Sequence, residues 1–300
     1  MKNIKYLTLA IIMSILLSAC MNKNEYKNKN VEKKEKAPET LVEVSRKLDT
    51  LLASMDSIEE IIELTESEFQ AKYGEKESKK KEEQGSKQSN GGNQQQNQEQ
   101  GQQNQNQQNQ NQQSQGQEEQ KQTIRTKNVE LFLKWQEVDK NLEEIHKSWN
   151  NYEVESRDKG ATDEKADKFK SDLNALTVAV ESREIDSIID AGSRAFNSLA
   201  TFFDLYKDEI GGDLARVKYS AYQAFLLVQK GNKEEAKKLL DETQDHISRV
   251  RKGLKEDKTK DLEKLSLSIS DMKKALDSGS MELLKIKRDI AVENIKNLQE

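Results

Sequence analysis

Apolar residues recurring at alternating steps of three and four leave this chain one fold class. From Thr123 onward the pattern hardly pauses: Leu131, Trp135, Val138, Leu142, Ile145, Trp149 and Tyr152 come first. Ala166, Phe169, Leu173, Leu176 and Val180 follow, then Ile188, Ala195, Leu199, Phe202 and Tyr206. That spacing puts each set on one face of an α-helix. The chain has a single proline, Pro38, and 34% charged residues, which suits long solvated helices and not a β-sandwich rich in turns.

The breaks fall where helices should end. Gly160 stops the first run, and Thr162 before Asp163 and Glu164 has the form of an N-cap with an acidic first turn. A short turn is expected near Arg183 and another at Gly211-Gly212, with Asp213 capping the apolar stretch "LARVKYSAYQAFLLVQK". Gly231 ends that stretch, and Asn232-Lys233-Glu234-Glu235 resembles a capping box. Ser278-Gly279-Ser280 separates the last two helices. Residues 123–300 are therefore expected to form an all-α antiparallel bundle of seven helices. Shifted by 96 positions, Leu173, Leu176, Val180, Ile188, Ala195 and Leu199 meet Ile269, Met272, Leu276, Leu284, Ala291 and Ile295. That match predicts two three-helix pseudo-repeats joined by the apolar helix.

The N-terminus has a different character. Lys2 and Lys5 precede "YLTLAIIMSILL", an apolar run too short to span a bilayer, and small residues lead to Cys20, the one cysteine of the chain. Leu17-Ser18-Ala19-Cys20 resembles the lipobox of bacterial lipoproteins. The resemblance implies a signal peptide over residues 1–19, cleavage between Ala19 and Cys20, and a diacylglycerol thioether on Cys20. It further implies a place on the extracytoplasmic face of the cell membrane, where two acyl chains hold a protein firmly. The competing reading is an ordinary secretory leader with a cysteine at its cut site. In the Lys/Asn/Glu-rich usage of the rest, the chain looks like helical-bundle lipoproteins of low-GC Gram-positive bacteria.

Residues 20–37 form a flexible basic tether, with Lys23, Lys27, Lys29, Lys33, Lys34 and Lys36 against three glutamates. Basic residues beside an anionic membrane contribute up to ~1 kcal/mol each. An amphipathic helix over 38–74 follows, opened by Pro38 and ending near Gly74, with a stripe of Leu41, Val44, Leu48, Leu51, Met55, Ile58 and Ile62. Residues 75–122, rich in Gln and Asn and almost free of apolar side chains, are expected to be a disordered linker. A helix set apart in this way can dock on the bundle, pair with its own copy, or bind an envelope protein. The stripe is the candidate partner-binding surface.

Chemistry is sparse. Removing Lys2 and Lys5 takes the net charge from −5 to −7, which offers nucleic acid no footprint. With Cys20 used as an anchor, thiol catalysis and thiolate metal sites drop out. Phosphate-loop and nucleophile-elbow motifs are absent from the sequence. Glu143-x-x-His146 has the spacing used in di-iron bundles, but His246 is preceded three residues back by Thr243, so the second half is missing and His146 is expected on the surface. No catalytic residue, metal or cofactor is expected. The expected function is a non-catalytic, membrane-anchored envelope lipoprotein acting through protein–protein contact on helical surfaces. The alternative is an extracellular solute- or metal-binding helical lipoprotein.

Overall fold

The computed structural model describes residues 36–74, 126–207 and 210–299. These residues form an all-α bundle of eight long helices: α1 (Glu39–Glu63), α2 (Lys127–Asp158), α3 (Asp163–Ser182), α4 (Ile185–Phe203), α5 (Gly211–Gln229), α6 (Lys233–Gly253), α7 (Thr259–Ser278) and α8 (Met281–Gln299). No helix among the described residues is long and apolar enough to cross a membrane. The leader with its lipobox, nearly all of the tether, and residues 75–122 lie outside the described residues.

The helix ends follow local chemistry. Thr126 and Thr162 each accept a backbone N–H in the first turn of α2 and α3, at 3.3 and 3.4 Å. Arg183 closes α3 in the left-handed conformation, with φ 59. Its guanidinium offsets that strain with a two-pronged pair to Asp139, at 2.7 and 2.6 Å, while lying over the Trp135 ring. Gly231 and Gly279 take positive φ at the ends of α5 and α7, a conformation glycine adopts without a Cβ clash. Two expected caps differ. Asn232 makes no side-chain cap, and α5 begins at Gly211, so that Asp213 falls inside its first turn. The first helix also stops early, at Glu63. Thr65 and Glu68 build a reciprocal capping box that starts a new short turn through Gly74.

The packing corrects one expectation. Helix α1 is not separate: it packs on α2 and on α4, and α2 packs on α3 and α3 on α4, closing a four-helix ring. Helices α5 to α8 close a second ring in the same order, with α8 returning to α5. The α4–α5 contact joins the two rings. Each ring is thus a four-helix unit, and α1 holds in the first ring the place α5 holds in the second. Consecutive contacts are antiparallel. Thr40 bonds Glu155 at the start of α1, whereas Lys127 at the start of α2 donates to the Ile62 carbonyl at the other end.

This hairpin places the two ends of the 75–125 stretch at the same end of the bundle. Loop closure costs ~0.6 kcal/mol for each doubling of length. Replacing residues 75–122 by about eight Gly/Ser residues should therefore stabilise the fold by about 1 kcal/mol. Urea unfolding of the two chains checks this. A shortened chain that fails to fold would show that the stretch contributes to the core.

Candidate functional site

Four places on the described molecule could carry function: the α1 stripe, the seam between the two units, the aromatic core of the first unit, and the outer faces of the helices.

The stripe is buried. Leu41, Val44, Leu48, Leu51, Met55 and Ile58 are all fully inaccessible and belong to the main core cluster, so they offer no partner surface in this fold. Ile62, the last residue of the expected stripe, is 48% exposed, and Ile61 is buried in its stead. Ser45 and Leu52 are buried as well. The buried face is wider than a coiled-coil seam because α1 packs on two helices at once.

Along one flank of that apolar face, α1 meets the second unit through charge. Lys218 of α5, 0% exposed, donates to Asp49, whose side chain keeps 20% exposure, and also reaches the Gln299 side chain at 3.3 Å. Arg288 of α8 is 1% exposed. It donates to Asp56 and to Asp289, and its guanidinium lies 4.6 Å from the Phe225 ring centroid. Lys285 donates to Glu59 at 2.5 Å at the outer edge of the seam. Burial pushes the Asp49 carboxyl above the usual aspartate range, and Lys218 only partly offsets it. Asp56 is raised for the same reason, against the pull of Arg288. Sign follows: a carboxyl with a raised folded-state pKa contributes most to stability below the ordinary aspartate value and less as pH rises through the folded one.

Ninety-six positions separate Gly192 of α4 from Arg288 of α8. A Cβ on Gly192 would sit 2.6 Å from Leu52 of α1, while Arg288 lies on Phe225 of α5. The same position faces the first helix of each unit. In one unit a glycine admits a leucine; in the other an arginine crosses to the neighbouring unit. The sequence reading missed both buried cations. Lys218 interrupts an apolar run and Arg288 follows Leu284 by four, and both features are in plain sight.

Trp149, Tyr152, Phe169 and Phe202 pack on one another in the core of the first unit. Trp149 lies 4.3 Å from Phe169 and 4.9 Å from Phe202 between ring centroids, and Tyr152 meets Phe202 edge-on at 5.8 Å. A groove of about 520 Å³ runs over α4 between α3 and α5, with Ala175, Ala179 and Ala191 among its small residues and Asp186, Arg194 and Lys230 among its charges. No group of three or more His, Cys, Asp or Glu suited to a metal is found among the described residues. His146 is half-buried, not at the surface, and bonds the Thr177 hydroxyl at 2.9 Å across α2 and α3. His246 lies 2.7 Å from Asp213, which also accepts from Arg249, and the three tie α6 to the start of α5.

On the outside, Val129, Phe132 and Leu133 share one face at the start of α2, with Phe132 61% exposed. Ile62 of α1 is a separate exposed apolar residue, and its carbonyl accepts from the Lys127 side chain at the start of α2. These features define the class: an all-α double four-helix bundle with a filled core and a charged internal seam. No protein-family model matches the chain, and no curated protein and no solved structure matches it.

Proposed function

We propose that the protein is a lipid-anchored envelope protein that acts by contact with other proteins and not by catalysis. The observation that carries the non-catalytic reading is the mutual packing of Trp149, Tyr152, Phe169 and Phe202, which uses in core contacts the side chains that would otherwise line a ligand pocket. The lipobox resemblance of Leu17-Ser18-Ala19-Cys20 supplies the anchor. With the α1 stripe buried, the contact surface is the exposed apolar face of Val129, Phe132 and Leu133.

Two experiments test the two halves. Cys20→Ala should shift the protein from the detergent phase to the aqueous phase in Triton X-114, or leave it unprocessed; unchanged partitioning removes the anchor. Phe132→Glu with Leu133→Glu should leave the unfolding midpoint within about 2 °C, as surface substitutions do, while abolishing crosslinked species formed by the parent in intact cells. Crosslinks that persist in this variant move the contact elsewhere.

A further inference from the structure

The end of the bundle where α1 begins is also the end where its second unit gathers positive charge. The geometry fixes this through a chain of contacts. Thr40 bonds Glu155, which brings the end of α2 to the start of α1. The Tyr206 and Tyr152 hydroxyls meet at 3.5 Å, which brings in the chain following α4. Arg216 pairs with Asp204, and Arg249 with Asp213, so the start of α5 and the end of α6 lie there too. Lys258 donates to the Asn297 carbonyl, closing the set with the start of α7 and the end of α8.

The α6–α7 connection runs across this end. Between residues 249 and 260 it carries Arg249, Arg251, Lys252, Lys255, Lys258 and Lys260 against Glu256 and Asp257 alone. Arg249 and Lys258 are used internally, by Asp213 and the Asn297 carbonyl. Arg251, Lys252, Lys255 and Lys260 are exposed, and none of them is in an ion pair or side-chain hydrogen bond among the described residues. The opposite end carries both signs: Glu181, Glu184 and Asp186 are next to Arg183, and Lys233 of the α5–α6 turn pairs with Asp277 beside the α7–α8 turn. The α6–α7 connection is therefore a local basic pole, and it lies at the end from which the chain leads back toward Lys36 and the rest of the basic N-terminal segment.

We propose that this basic pole, Arg251, Lys252, Lys255 and Lys260, docks on an anionic lipid surface. Unpaired cations on a connection between helices can approach a headgroup layer without displacing any internal contact. A residue of this kind contributes about fivefold to partitioning when it lies near an anionic surface. The biological setting rests on the anchored reading above, but the surface itself does not need the lipid.

The test uses a chain beginning at Met21, which retains every described residue and lacks the lipid attachment point. Its sedimentation with vesicles of phosphatidylcholine alone is compared with that on vesicles of roughly one-third phosphatidylglycerol, at low and at physiological salt. Expected is salt-sensitive binding confined to the anionic vesicles, reduced tenfold or more by Arg251→Gln, Lys252→Gln, Lys255→Gln and Lys260→Gln together, with an unchanged unfolding midpoint. A second variant, with the six lysines between 23 and 36 changed to Gln, should keep part of the binding. The proposal is overturned if the first variant binds like the parent, if phosphatidylcholine serves equally well, or if the parent does not bind. Because the chain is unlipidated, this outcome is separate from that of Cys20→Ala.

Discussion

Leu48→Asp combined with Met55→Asp is expected to unfold the first four-helix unit. Both side chains are fully buried in the main core cluster, between α2 and α4. A carboxylate forced there has no cation opposite it, and leaving a buried charge uncompensated costs about 3–5 kcal/mol. Two such sites, plus the lost apolar burial at ~1.5–3 kcal/mol each, rival the whole ~5–15 kcal/mol stability of a domain. The unfolding midpoint of the variant should fall to that of a chain beginning at Thr123, since each lacks a docked α1. A midpoint within about 2 °C of the parent would show that α1 is not part of the core.

The second large effect belongs to the seam. Lys218→Met should destabilise the protein by about 3–5 kcal/mol, because Asp49 is left largely buried without its partner. Joining Asp49→Leu to it should restore stability to within about 1 kcal/mol of the parent or above it, since replacing a buried pair by apolar groups is often neutral or favourable. The raised pKa of Asp49 is the sign that burial already outweighs the ion pair at this position. Guanidinium unfolding of the single and double variants measures the difference. A double variant as weak as the single one would mean that the seam depends on charge itself, in register or in the Gln299 contact.

Much of the bundle was legible because its helices are long and their boundaries chemical. The turns at Arg183, Gly231 and Gly279 coincide with the end of each apolar period, and the Thr162 cap of α3 announces itself. What α1 packs against was not legible. A stripe shows that a face is buried but not what covers it, and the partner of α1 in sequence begins beyond a stretch of fifty residues. The width of the buried face held the missing information. Leu52 and Ile61 fall outside a strict heptad, and both are apolar because α1 has two neighbours. Buried cations were overlooked because a Lys or Arg is usually taken as the edge of an apolar face. Lys218 and Arg288 show that it can be the centre when a carboxylate arrives from another helix.

The α1–α2 hairpin sets a polarity for the whole molecule. The chain enters the bundle at Pro38 and leaves it some 25 residues later at the far end, roughly 37 Å away along α1. Whatever conformation the stretch 75–125 takes, it starts and finishes at that far end, so lengthening or deleting it cannot change how far the bundle stands from Cys20. That distance has an upper limit set by the eighteen residues 20–37 alone, about 60 Å fully extended. The reach of chain between Cys20 and the bundle is therefore independent of the Gln/Asn tract, whose two flanks are both held at the end of α1 away from Pro38.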